Sequence, residues 1–259
     1  SVVMFRNQYD TDVTTWSPQG RLHQVEYAME AVKQGSACVG VRSNTHAIIA
    51  ALKRSTSDLS DHQEKIFKVD EHMGIAIAGL TADARSLCKV MRKECLRHRY
   101  VYDSALSVGR LVLDIADRCQ SCTHKSSARP YGVGLLVAGF DQTGPHIFQT
   151  CPSGNYFEYK AITIGARSQS AKTYLEKTFE LYPALSKDEL IKHAVSALKE
   201  SAQSDGLTAA NCSIGIACAE APFEILEGAS VQPYIDMLAS DDMTDAAAPA
   251  PAAGDAMEG

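Results

Sequence analysis

No stretch of the 259-residue chain is apolar for long enough to cross a membrane. The longest run, near Val133–Phe140, falls far short of the roughly 18 residues a spanning helix needs. Concentrated positive charge is missing as well. Residues 200–259 hold eleven carboxylates and not one Lys or Arg, which leaves 25 basic against 20 acidic side chains in residues 1–199. That mild excess excludes a dedicated nucleic-acid binder, which carries a basic stripe. Neither nucleic acid nor membrane is expected as a partner. The opening Ser1–Asn7 lacks the charged-then-apolar layout of a secretory signal, and the eight cysteines show no disulfide-framework spacing. The expectation is reduced thiols in the cytoplasm and nucleus. There is no P-loop, no Gly-x-Gly-x-x-Gly, no His-Glu-x-x-His and no Gly-x-Ser-x-Gly. Cys119-Gln120-Ser121-Cys122 with His124 resembles half a zinc site, but no second ligand pair has suitable spacing. No metal and no cofactor are expected.

What is present is core-forming material, 45% hydrophobic, arranged in alternating textures. Ser17-Pro18 reads as a helix start, followed by an apolar face of Leu22, Val25, Met29 and Val32, with Gly35 as terminator. Ala37–Val41, His46–Leu52, Ile66–Val69 and Met73–Ala78 read as strands. Two helices follow, one with Ala84, Leu87, Cys88, Met91 and Cys95 on a face, the next with Val108, Leu111, Val112 and Ile115. Strands return at Gly132–Phe140, Pro145–Gln149, Tyr156–Lys160 and Ile162–Ile164, the first two joined by a hairpin turn at Asp141–Gly144. Helices are expected at Ser168–Leu181 and Lys187–Ala202, the latter with a Ser186/Glu189 capping box and a core face of Leu190, Ile191, Ala194, Val195 and Leu198. Strands at Cys212–Cys218 and Phe223–Leu226 and a short helix at Pro233–Leu238 close the compact part. From Asp241 onward the chain has nothing to bury and reads as a disordered acidic tail. Helix pairs between runs of antiparallel strands predict an α+β fold, a four-layer αββα sandwich.

One stretch is far more specific. Tyr9-Asp10 and Trp16-Ser17-Pro18-Gln19-Gly20-Arg21-Leu22-His23-Gln24-Val25-Glu26-Tyr27-Ala28 resemble the N-terminal signature of proteasome alpha subunits. Three later segments agree in order: Ile77–Arg85, Arg129–Gly134 and Ala161–Ala166. The opening Phe5–Asp10 and the run Met29–Ala37 agree too. The resemblance covers about residues 5–238 and implies the αββα sandwich of the N-terminal-nucleophile hydrolases. It divides the chain into a gate tail at 1–16, the alpha-type domain at 17–239 and the acidic tail at 240–259.

In that fold the active relatives expose a threonine whose own amine serves as base, with an acid and a lysine beside it. By resemblance the nucleophile position falls at Ser36, the acid at Lys53 and the lysine at Lys65. Ser36 follows 35 residues, so its amine is locked in a peptide bond, and Lys53 inverts the charge. No catalytic residue is expected. The implied role is architectural: a hetero-heptameric alpha ring capping beta rings, with N-terminal tails across the pore. Tyr9, Asp10, Pro18 and Tyr27 resemble the cluster that holds those tails, although Thr11 stands where the family has Arg. Glu26, Gly35 and Lys65 resemble the pocket that receives the C-terminal tails of activators such as the regulatory-particle ATPases. The bland alternative for Lys65 is a solvated lysine at a strand edge. His124–Ala128 do not match the family pattern ahead of Arg129-Pro130-Tyr131, the segment beside the annulus below the gate. Two rival readings stand: an active hydrolase released by cleavage before Ser36, and an adaptor that works through the acidic tail.

Overall fold

A computed structural model describes residues 8–55, 57, 59–202 and 206–238. Phe5–Asn7 of the resembling opening and the acidic tail expected at 240–259 lie outside the described residues.

The chain begins with helix α1 (His23–Gln34) and then forms β1 (Cys38–Arg42), β2 (His46–Leu52), β3 (Ile66–Asp70) and β4 (Met73–Gly79). Helices α2 (Thr81–Tyr102) and α3 (Val108–Thr123) follow, then β5 (Val133–Asp141), β6 (Gly144–Thr150), β7 (Tyr156–Glu158) and β8 (Ala161–Ile164). Helices α4 (Ser168–Thr178) and α5 (Lys187–Ser201), strands β9 (Cys212–Cys218) and β10 (Glu224–Glu227), and a last helix α6 over 232–238 complete the order. Two five-stranded antiparallel sheets result, ordered β10-β9-β2-β1-β8 and β3-β4-β5-β6-β7.

The layers follow from side-chain size. Strand residues alternate between faces. On β2, Ile48, Ala50 and Leu52 point to the layer beneath α4 and α5, where Leu190, Ile191, Ala194, Val195 and Leu198 meet them. The opposite face of β2, Ala47, Ile49 and Ala51, meets Ala76, Ala78, Leu136 and Ala138 of the second sheet. Alanines dominate that middle layer and let the sheets approach closely. Leu87, Met91, Leu111 and Ile115 of α2 and α3 cover the outer face of the second sheet. The arrangement is the expected four-layer sandwich. Both faces of the central strands are buried, which is why they read as nearly continuous apolar runs.

Three local expectations need correction. Ser17-Pro18 does not start a helix. Residues 17–20 form a turn closed by the Gly20 N–H on the Ser17 carbonyl at 2.9 Å, and the Ser17 hydroxyl accepts from the Arg21 N–H at 3.1 Å. Gly20 lies in left-handed backbone at φ +74°, which ends any helical path there, and α1 begins at His23. The buried face of α1 is His23, Val25 and Val32, with Met29 left 39% exposed. A helix that packs at one end of the sandwich, rather than across a sheet, buries a narrower stripe. The helix expected to reach Leu181 ends at Thr178, and Tyr182–Ala184 form a separate single turn. The Ser186/Glu189 capping box is present, with the Ser186 N–H donating to Glu189 Oε2 at 2.9 Å.

Candidate functional site

The residues singled out by sequence lie ahead of α1, on it and at its end, with Lys65 immediately before β3. Upstream of α1, the backbone at Asp10 is held by the helix. Tyr27 Oη donates to Asp10 Oδ2 at 3.1 Å, and Gln24 Nε2 donates to the Asp10 carbonyl. Gln24 and Tyr27 are three apart on one helical face, so a single stripe of α1 grips the incoming chain. Val13 and Ser17 are buried beside it. Tyr9 is half-buried, and its hydroxyl has no hydrogen-bond partner among the described residues. Pro18 stands exposed in the turn at 17–20, and Thr11 is exposed. The structure therefore joins Asp10 to Tyr27 and adds Gln24, which sequence reasoning missed.

Gly35 ends α1 and needs to be glycine because of its surroundings. A Cβ there would lie 2.2 Å from the Gly79 nitrogen and 2.8 Å from the Ala78 carbonyl carbon, both backbone atoms. Gly35 thus presses onto the end of β4, and its carbonyl accepts from the Ala166 N–H at 2.7 Å. Lys65 reaches the same strand end from the other side, its carbonyl accepting from the Ile77 N–H at 3.1 Å. Lys65 is 5% exposed, so it is not a solvated edge residue. Its ammonium has no ion-pair or hydrogen-bond partner among the described residues. Burial holds its pKa below the usual lysine value; the nearby Cys38 thiol works against that shift and Arg54 adds to it. A side chain desolvated to this extent is stabilised when an anion joins its cation. Glu26 is not that anion. Arg21 takes both its oxygens, Nε to Oε1 and Nη2 to Oε2, each at 2.6 Å. Those bonds hold the Glu26 carboxyl below its usual range. Gly35 and Lys65 each meet the end of β4, at Ala78–Gly79 and at Ile77; Glu26 lies further back along α1.

The position that corresponds to the nucleophile is closed. Ser36 is 2% exposed, its nitrogen lies in the peptide chain behind α1, and its hydroxyl has no hydrogen-bond partner among the described residues. Lys53, in place of the acid, is 9% exposed and pairs with Glu227 Oε1 of β10 at 3.1 Å. That partner lies 174 residues away in sequence and was not foreseen. A second unforeseen clasp links two of the resembling motifs. Arg129 Nη1 and Nη2 bind Asp83 Oδ2 and Oδ1 at 2.6 and 2.7 Å, and the Gly132 N–H donates to Asp83 Oδ2 at 2.9 Å. The Arg129 bonds, foremost, hold Asp83 below the usual carboxylate range. The Asp83 motif and the Arg129-Pro130-Tyr131 motif are two halves of one contact. An acid in the first turn of α2 was the available signal; its partner was not readable from spacing.

Comparison with known proteins identifies the family. The family pattern for proteasome subunits matches residues 32–217, and the pattern for the N-terminal signature of alpha-type proteasome subunits matches residues 9–31. The alpha type-1 proteasome subunit of Dictyostelium discoideum is 56% identical over 241 residues, 92% of this chain and 97% of that protein. Its namesake in Drosophila melanogaster is 49% identical over 243 residues, 92% and 87% of the two chains. The alpha type-6 proteasome subunit of Saccharomyces cerevisiae is 49% identical over 234 residues, 90% and 100% of the two chains.

Proposed function

The chain belongs to the proteasome subunit family and bears its alpha-type N-terminal signature, and on that premise we propose that it is a non-catalytic alpha-ring subunit of a 20S core particle. Its work there is to build the ring with other alpha subunits, to rest on the beta ring, to gate the substrate channel and to dock activators in ubiquitin-dependent protein degradation. The observation that carries the non-catalytic part is the state of Ser36. A nucleophile of this class needs a free amine as base and an opening to substrate. Ser36 has its nitrogen in a peptide bond, lies 2% exposed, and has Lys53 where an acid would stand.

Gating rests on the grip of Gln24 and Tyr27 on Asp10, which fixes where the preceding chain leaves the ring surface. Docking rests on Lys65, a buried cation beside the Gly35–Gly79 contact, suited to a single carboxylate as a compact point charge. Assembly accounts for exposed apolar side chains at Trp16 and Met29 and at Leu96, Tyr100, Val101 and Tyr102 of α2. The compartments we assign are the cytoplasm and the nucleus.

The test uses assembled particles carrying Ser36→Ala. Peptide hydrolysis at the wild-type rate, with no inhibitor-dependent mass gain on this chain in the wild type, is the expected result. Covalent labelling of Ser36, or loss of the first 35 residues in the intact mass, would establish the rival hydrolase instead.

A further inference from the structure

The proposed function makes no use of the tie between Asp83 and Arg129. That tie acts at one wall of a cleft. Thr11, Asp12 and Val13 ahead of α1, with Gln24 on it, face residues 126–130 across a space of about 620 Å³. The gate segment and the loop between α3 and β5 are therefore opposite walls of one cleft. The first wall is held through Asp10 by Gln24 and Tyr27. The second has little of its own to hold it. Among the described residues the turn 125–128 hydrogen-bonds only within itself, the Ala128 N–H donating to the Lys125 carbonyl at 3.1 Å. Its place is set by the residues that follow it.

Two anchors follow. The Gly132 carbonyl accepts the Leu80 N–H at 2.9 Å, and a Cβ on Gly79 would lie 2.3 Å from that same oxygen. Gly132 therefore sits hard against the strand end that Gly35 also touches. The second anchor is Asp83 in the first turn of α2, its side chain 10% exposed. Its Oδ2 accepts from the Gly132 N–H and Arg129 Nη1, and its Oδ1 accepts from Arg129 Nη2. A carboxylate met by a guanidinium on two parallel bonds is fixed in direction as well as distance. Arg129 Nη1 also donates to the Pro130 carbonyl at 3.0 Å, which folds the side chain over its own backbone. The loop end of the clasp is in water. The Arg129 side chain is 66% exposed, and an ion pair so placed adds little to stability. Its consequence is position: without it Gly132 keeps its backbone anchor, and residues 126–130 lose theirs.

We propose that Asp83 is a positioning residue for the gate: by clasping Arg129 and the Gly132 N–H, it fixes the wall 126–130 against which the segment ahead of α1 closes. This role rests on the gating proposed above and extends it to a second wall. Asp83 touches neither the substrate nor the gate segment; it acts through Arg129. Because Gly132 and Gly35 both press on Gly79, the wall stands on the strand end beside the proposed activator pocket.

The experiment compares assembled particles that are wild type, Arg129→Gln, deleted for residues 1–12, or both deleted and Arg129→Gln. Basal hydrolysis of a short fluorogenic peptide is read without activator, and intact mass confirms this subunit in each particle. Arg129→Gln removes a charge at an exposed position and leaves Asp83 its Gly132 N–H, so assembly is expected. In the full-length background the basal rate should rise about threefold. In the deleted background it should rise no further, because no segment remains to close on the wall. Arg129→Lys keeps a charge without the fork and should fall between wild type and Arg129→Gln. The same factor in both backgrounds would mean that the clasp acts on the particle as a whole, and would overturn the proposal. An unchanged full-length rate, where the deletion alone raises hydrolysis, would overturn it too. A deletion that leaves hydrolysis at the wild-type rate would sink the gate reading itself, and the positioning role with it. If Arg129→Gln fails to assemble, the same comparison made with Arg129→Lys decides.

Discussion

Lys53 and Lys65 are both buried, both near the strand ends that flank Ser36, and they differ in one respect. Lys53 has Glu227 at 3.1 Å; Lys65 has no anion among the described residues. Burial of a cation is costly, and a fold normally supplies a counter-charge or lets the group neutralise. Around Lys53 the fold supplies one from β10, and the pair reads as structure. Around Lys65 it supplies a glycine cradle and, among the described residues, no carboxylate; in the proposed function the carboxylate is that of an activator tail. One lysine is paired across the sheet edge; the other is the one the proposed function gives to an incoming carboxylate.

The largest expected effect tests whether the cradle matters. Gly35→Ala places a Cβ 2.2 Å from the Gly79 nitrogen, where only backbone could yield. A loss of about 3 kcal/mol in unfolding free energy is expected, read by denaturant melts of the isolated chain or by failure to enter particles. Wild-type stability would mean that α1 and β4 can part easily and that the cradle is soft.

Glu227→Gln removes the partner of Lys53 and keeps its shape. Breaking a fully buried pair costs ~3–5 kcal/mol. The Glu227 side chain is 42% exposed, so water recovers part of the loss and about 1–2 kcal/mol is expected. No loss in a denaturant melt would place the two lysines in one class and end the contrast.

Lys65→Met should behave in the opposite way, because it discharges an unpaired buried cation while keeping the unbranched stem. Stability should hold or rise by about 1 kcal/mol at neutral pH. The sign with pH follows from linkage. The folded pKa of Lys65 lies below the ordinary 10.5, so between those values the unfolded chain binds more protons than the folded one. Wild-type stability then rises with pH across that interval. The advantage of Lys65→Met should therefore shrink as pH climbs through the folded value toward 10.5. A gap constant with pH would assign the effect to packing alone.

The layered fold was readable in the sequence because each strand of the centre is buried on both faces and each helix carries one apolar stripe. Leu190, Ile191, Ala194, Val195 and Leu198 lie where their spacing puts them. The turn at Ser17–Gly20 was misread because a hydroxyl followed by proline suits both a helix start and a turn. The deciding feature was the left-handed backbone of Gly20, three residues on. For the proposed site, the resemblance named Tyr9, Asp10, Pro18, Tyr27, Glu26, Gly35 and Lys65; the structure bonds Asp10 to Tyr27, and the spacing of Gln24 to Tyr27 could have added Gln24 to that grip. Lys53–Glu227 and Asp83–Arg129 were beyond reach for a physical reason. A charge pair closed by tertiary folding leaves no period in the sequence, and each partner taken alone looks like a surface residue.

The central claim is that Lys65 waits for a carboxylate. The direct measurement is a two-by-two titration of assembled particles, wild type and Lys65→Met, with an activator tail peptide ending in a free carboxylate or in an amide. Occupancy of this subunit's pocket is checked by structure. Removing one partner of a desolvated charge pair costs ~2 kcal/mol at the low end, or about thirtyfold in affinity. The account predicts that amidation weakens binding by about that factor in the wild type and has almost no effect in Lys65→Met. Equal losses on amidation in both particles would mean that the carboxylate is read elsewhere and that Lys65 is no part of the pocket.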